Sequence, residues 1–119
     1  MRDFKELKVW QKAHRLVLDI YAHSRAFPDD ERFGLTAHLR KSATSIPSNV
    51  AEGCGRQGER ELARFLSIAA GSATETDYQL LLARDLGYLA PEAHQKLDAQ
   101  VSEVRRMLAG FMQKLMADS

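Results

Sequence analysis

The stretch PEAHQKLDAQVSEVRRMLAGFMQKL, running from Pro91 to Leu115, decides the fold. Its apolar residues Leu97, Val101, Val104, Leu108, Phe111 and Leu115 recur at alternating steps of four and three, the spacing that gathers side chains on one face of a helix. Pro91 suits the first helical position, where its missing N–H leaves no hydrogen bond unmade. A helix with one apolar stripe must bury that stripe against other elements.

Three more segments upstream carry the same period. Leu62, Leu66, Ala69, Ala73, Thr76, Leu80 and Ala83 form a third helix in chain order, which Gly87 is placed to stop. A second helix is expected to open on the acids Asp29-Asp30-Glu31, which suit a helix N-terminus, and to continue through Leu35, Leu39, Ala43, Ile46 and Val50. The first holds Trp10, Ala13, Val17 and Ile20 and ends before Phe27-Pro28. No strand pattern competes. Short connections favour antiparallel neighbours, so the expected fold is an all-α, up-down-up-down four-helix bundle spanning residues 1–119 as a single domain.

The chain's 119 residues suffice for one core and leave no room for a second domain. The formal net charge of +1 does not announce a nucleic-acid partner, so such a role requires local clustering of cations or repetition in an oligomer. The N-terminus leads straight into an amphipathic stretch without a signal-like apolar region, and no run is long enough to span a membrane. With a lone cysteine, Cys54, the expectation is a cytoplasmic protein with no membrane partner.

The run Ser45-Ile46-Pro47-Ser48-Asn49-Val50-Ala51-Glu52-Gly53 places a proline and several polar side chains inside the second helix. An interior proline costs about 3 kcal/mol and bends the helix, so a kink at Pro47 is expected. Small residues at Ala69, Ala70, Gly71, Ser72 and Ala73 allow the third helix to approach this bend closely. Ser45, Ser48, Asn49 and Glu52 are therefore expected to form a structural polar network with Ser72 and Glu75, in preference to a binding pocket.

Two surface patterns stand out. Ile68, Leu82 and Leu86 on the third helix and Met107 and Met116 on the fourth lie off the main stripes, and self-association is favoured over a widened core as their use. Lys5, Lys8, Lys12 and Arg15 step by three, four and three into a basic stripe, which reads first as a solvated face and second as a phosphate-contacting one. Arg56, Arg60 and Arg64 form a second basic line, interrupted by Glu59 and Glu61. Exposed aromatics other than Tyr78 and Tyr88 look scarce, which argues against recognition of single-stranded bases.

Catalytic and metal chemistry find no foothold. His14, His23, His38 and His94 show no pair at metal-binding spacing, so no metal or cofactor is expected. Cys54, read as lying near the start of the third helix, where a thiol pKa is lowered, has no positioned base nearby in sequence.

The ordered motifs Phe4-x-x-Leu7-x-Val9-Trp10, Phe27-Pro28, Glu31-Arg32-Phe33-Gly34-Leu35, the run from Ser45 to Gly53 with Gly55-Arg56, Arg64-Phe65-Leu66-x-Ile68-Ala69-x-Gly71-Ser72 and Leu86-Gly87-Tyr88-Leu89 resemble one family. It is the four-helix-bundle family encoded by intervening sequences of bacterial large-subunit ribosomal RNA genes, whose members carry a ribosomal-protein label. His38 and Thr76 depart from the pattern, standing where an amide and an apolar residue are expected. The resemblance implies a small helical bundle. Relatives, including the accessory protein of diversity-generating retroelements, form ring-like homopentamers, and the retroelement relatives bind nucleic acid and a reverse transcriptase. The expected function is thus a non-catalytic homo-oligomer, pentameric by resemblance, that associates with RNA or DNA through basic surfaces. The alternative is a protein-interaction scaffold or reverse-transcriptase accessory module without nucleic-acid binding of its own.

Overall fold

The computed structural model describes residues 2–118. Four helices make up the body: α1 (Lys8–Ser24), α2 (Leu35–Gly55), α3 (Glu59–Asp85) and α4 (Pro91–Ala117). Single 3-10 turns at Phe4–Glu6 and Asp29–Glu31 precede α1 and α2, and no strand occurs among the described residues. Helix α1 packs on α2 and α4, and α3 packs on the same two, so α1 and α3 sit diagonally across a four-cornered bundle. At 1.5 Å per residue the 27-residue α3 is about 40 Å long, close to the full 46 Å extent of the molecule.

All four expected helices form, and each buries the stripe its period defines. Leu16 and Ile20 from α1, Leu39 and Ile46 from α2, Leu66 and Leu80 from α3, and Leu97 and Leu108 from α4 meet in one core. Pro91 takes the first turn of α4. Gly87, at φ +80°, ends α3: its N–H bonds the Arg84 carbonyl at 3.0 Å, and the Tyr88 N–H bonds the Ala83 carbonyl at 2.9 Å. A residue with a Cβ is strained at that positive φ, so glycine is the residue that permits both capping bonds.

The start of α2 differs from expectation. Asp29-Asp30-Glu31 form their own 3-10 turn, and α2 begins four residues after Glu31, at Leu35. The cause is a side-chain cap: Glu31 Oε1 accepts the Leu35 backbone N–H at 3.0 Å, serving the exposed donor from outside the helix. At the other end α2 passes through Pro47 and Cys54 to Gly55. Cys54 therefore lies in the last turn of α2 and not near the start of α3. It is buried, and burial pushes its thiol pKa up, where a lowered value was expected.

The contact between α2 and α3 is the most extensive in the bundle. Small residues make it close: Ala43, Ala69 and Ala73 are fully buried there. Closest of all is Gly53, where an added Cβ would stand 2.9 Å from the Phe65 Cβ.

Candidate nucleic-acid interface

The polar run in α2 splits into an inner and an outer half. Facing α3, the Ser45 hydroxyl meets that of Ser72 at 2.9 Å, and Asn49 Nδ2 donates to the Ser45 carbonyl at 2.8 Å and to its hydroxyl at 2.9 Å. Facing outward, Ser48 and Glu52 are exposed, and Glu52 pairs with Arg56 at 2.8 Å on the surface. Glu75 is also exposed, away from this cluster. Of the six residues expected to form one network, Ser45, Asn49 and Ser72 come together; Ser48, Glu52 and Glu75 do not.

A second polar cluster lies deeper, one turn earlier along α2. The Ser42 hydroxyl donates to Gln79 Oε1 at 2.6 Å and lies 2.9 Å from the Thr76 hydroxyl and 3.1 Å from the Leu39 carbonyl. Thr76 also donates to the Ser72 carbonyl at 2.9 Å. All three side chains are buried. Thr76, an apolar position by family pattern, is thus a hydrogen-bonding member of the interface.

Half of the expected basic stripe is compensated by acids. Lys12 faces Glu103 of α4 at 3.5 Å, and Arg15 faces Asp19 at 3.6 Å. Lys5 sits on the 3-10 turn before α1, with its ammonium 5.9 Å from the Phe4 ring centroid. Lys8 borders a shallow hollow with Lys114 beside Phe111. In the second line, Arg56 and Arg64 both lie over the Phe65 ring, at 5.1 and 4.6 Å, and Arg64 pairs with Glu61 at 3.1 Å, which lowers the Glu61 pKa by hydrogen bonding. Arg60 is exposed at the start of α3.

A different surface gathers cations without acids. Tyr21 on α1, the Arg32-Phe33 pair before α2, and the α2 face bearing Arg40 and Lys41 line a groove of about 720 Å³ that has no acidic residue in its wall. Arg40 is fixed in place: its Nε donates to the Ser24 hydroxyl at 2.8 Å, and its guanidinium lies 4.5 Å from the Tyr21 ring centroid. Arg32 lies 5.2 Å from the centroid of Phe33, a ring that is 84% exposed, so the expected scarcity of exposed aromatics beyond Tyr78 and Tyr88 does not hold: Phe33 and Tyr21 are exposed, and Tyr88 packs partly buried against the core. A neighbouring hollow shares Tyr21, Thr44 and Ser48 with the groove and runs on toward Trp10 and His14, whose rings stack at 5.0 Å with 9° between planes. The outer residue of the proline run, Ser48, is therefore a wall residue of this furrow.

Sequence reasoning had not singled out this groove. One signal was available: Arg40 and Lys41 have no acid three or four residues away in either direction, whereas Arg15 and Arg64 each have one and Arg56 has two. The pairing of Tyr21 with Arg40 required the tertiary fold.

The apolar lines divide similarly. Ile68 on α3 and Leu86, which caps its C-terminal end, stand 42% and 49% exposed, with Tyr78 between them in sequence and also exposed. Leu82 and Met107 are partly buried and pack against the core, while Met116 is exposed near the end of α4. Among the described residues no three His, Cys, Asp or Glu side chains converge to hold a metal ion, and no helix is long and apolar enough to cross a membrane.

The chain is similar to known proteins in two respects. Its fold superposes on a crystal structure from Bacteroides thetaiotaomicron, described as a protein of unknown function from the S23 ribosomal protein family, with a TM-score of 0.81 and 23% identity over 88% of this chain and 95% of that one. No curated protein matches the chain. The family described as 23S rRNA-intervening sequence protein matches residues 5–110, nearly the whole bundle, and the chain belongs to that family.

Proposed function

We propose that this chain is a non-catalytic, homo-oligomeric helical bundle of the cytoplasm that associates with nucleic acid through its basic surface between α1 and α2. The observation that carries this reading is the groove of Arg32, Arg40 and Lys41 without an acid in its wall. A carboxylate within 4 Å accompanies Lys12, Arg15, Arg56, Arg64 and Arg105, but none among the described residues accompanies these three. Cations left without carboxylate partners keep their charge available to phosphates, whose counterions they displace on binding.

One copy offers modest charge. Repeating the groove around a ring multiplies the phosphate contacts, so avidity supplies affinity that the nearly neutral monomer lacks. The exposed Ile68, Tyr78 and Leu86 on α3 supply apolar surface suited to contact between copies, away from the groove residues. The same exposed apolar residues also fit a protein partner such as a reverse transcriptase, and that scaffold reading differs in requiring no nucleic acid.

Binding of labelled RNA and DNA to the purified protein across a salt series tests the proposal. Affinity should fall with rising salt, and Lys41→Glu should weaken binding more than Lys12→Glu, because Lys12 already faces Glu103. Absence of binding at low salt would leave the scaffold reading in its place. Light scattering reports the assembly, and a monomer at micromolar concentration would remove the avidity on which the reading depends.

A further inference from the structure

Building on the proposed nucleic-acid association, we infer that the groove between α1 and α2 takes a single strand, stacking a base on Phe33 while Arg32, Arg40 and Lys41 hold the flanking phosphates. Three observations converge on this surface. The first is Phe33: a ring 84% exposed on the short link into α2 contributes little to the core. Burying such a ring against a base face is favourable for every base, because each has a π surface.

The second observation is the pairing of ring and cation on both sides of the groove. Arg32 lies 5.2 Å from the Phe33 centroid and Arg40 lies 4.5 Å from that of Tyr21. Guanidinium planes beside aromatic rings offer stacking area and positive charge together, which matches an alternation of bases and phosphates. The Arg40 guanidinium is also oriented by its bond to Ser24, so little side-chain freedom remains to be lost on binding.

The third is Thr36. It is only 8% exposed, lies in the groove wall, and its buried hydroxyl has no hydrogen-bond partner among the described residues. A buried hydroxyl without a partner is destabilising; it is closed off from solvent, so an acceptor entering the groove would satisfy it once the Thr36 side chain turned toward the groove. A duplex hides its base faces in the stack and presents phosphates alone, so it has no use for Phe33. A single strand uses ring, cations and hydroxyl together.

Fluorescence anisotropy with a labelled single-stranded RNA, the corresponding DNA strand and a duplex of the same sequence provides the test. The native protein should bind the strands roughly tenfold more tightly than the duplex at equal salt. Phe33→Leu, which keeps an apolar side chain but removes the π face, should lose most of that preference and leave duplex binding unchanged, while Phe33→Trp should retain it. Lys41→Gln should weaken strand and duplex alike and reduce the single-strand salt slope by about 0.7. Equal effects on RNA and DNA strands support a site reading shared base and phosphate chemistry; an effect confined to RNA supports a site that also reads the 2′-hydroxyl.

Duplex binding as tight as strand binding, or unaltered strand affinity in Phe33→Leu, would overturn the inference and leave the basic groove standing as a duplex-compatible surface. A change of oligomeric mass in Phe33→Leu would also overturn it, by assigning the ring to a contact between copies. Failure of every nucleic acid to bind at low salt would instead remove the underlying function.

Discussion

The Tyr88 hydroxyl donates to the Glu31 carboxylate at 3.0 Å, joining the turn between α3 and α4 to the turn that starts α2. The other oxygen of the same carboxylate accepts the Leu35 N–H, so one side chain both caps α2 and ties it to the far side of the bundle. The Tyr88 ring also packs 5.7 Å from that of Phe27, which brings the end of the α1 to α2 connection into the same cluster. The segment carrying Arg32 and Phe33 lies directly between Glu31 and Leu35, so this tie positions one wall of the basic groove.

Hydrogen bonding to Glu31 raises the Tyr88 phenol pKa above its ordinary value of 10.0. The native state then holds the phenolic proton more tightly than the unfolded chain does. Its stabilising effect is complete below the ordinary phenol value and is lost as pH rises through the raised native one. Tyr88→Phe should accordingly lower the melting temperature at neutral pH, and the gap from the native protein should narrow in strongly alkaline buffer. A constant gap across that range would separate the loss from the hydrogen bond. Glu31→Gln, which keeps an acceptor for Leu35, should be milder than Glu31→Ala.

Gly53 marks the closest approach of α2 to α3. The atom opposing an added Cβ is the Phe65 Cβ, which is fixed to the α3 backbone and cannot rotate away. Gly53→Ala should therefore push the two helices apart and cost about 1–3 kcal/mol, despite the higher helix propensity of alanine. Chemical denaturation measures this directly. Unchanged or increased stability would mean that the helices are less tightly apposed than the 2.9 Å approach implies.

Much of this architecture was legible from periodicity, because burying an apolar stripe leaves a helix few alternatives. Leu97, Val101, Val104 and Leu108 all fall in the core, as their steps of four and three require. The polar run was read less accurately because its members were grouped by sequence adjacency. Ile46, Val50 and Gly53 face inward, which turns Ser48 and Glu52 outward by helix geometry alone. On α3 the inner polar line steps from Ser72 to Thr76 to Gln79, and Glu75 falls off it. The basic groove was the least legible feature. Its residues come from α1, the connecting turn and α2, and only the packing of α1 against α2 brings Tyr21 beside Arg40.

The two buried polar clusters and the outer half of that run should respond differently to mutation. Ser42→Ala leaves the buried Gln79 carbonyl oxygen without its donor at 2.6 Å and should cost about 1–3 kcal/mol. Asn49→Ala removes bonds to Ser45 and should also destabilise the bundle. Glu52→Ala only breaks an exposed pair with Arg56, and the melting temperature should hardly move. Destabilisation by Glu52→Ala as large as that by Ser42→Ala would show the carboxylate to be part of the inner cluster.

Between α3 and α4, Asp77 carries a raised pKa. Burial is the largest cause, followed by the nearby Asp98 carboxyl through hydrogen bonding and charge repulsion; Arg105 and His94 act in the opposite direction. Since the native state holds this proton more readily than the unfolded chain, stability from this site falls as pH rises from the ordinary carboxyl value of 3.8 through the raised native one. Asp98→Asn removes the competing charge and should bring the Asp77 pKa partway down, with burial keeping it above normal. The variant should also be stabilised relative to the native chain more at neutral than at acidic pH, because the stability lost as pH rises through the raised Asp77 value is smaller without Asp98. Carboxyl-detected NMR titration gives the pKa, and thermal melts at neutral and acidic pH give the stability difference. An unmoved Asp77 titration in the variant would mean that burial and the Arg105 ion pair, at 3.3 Å, govern the site without Asp98.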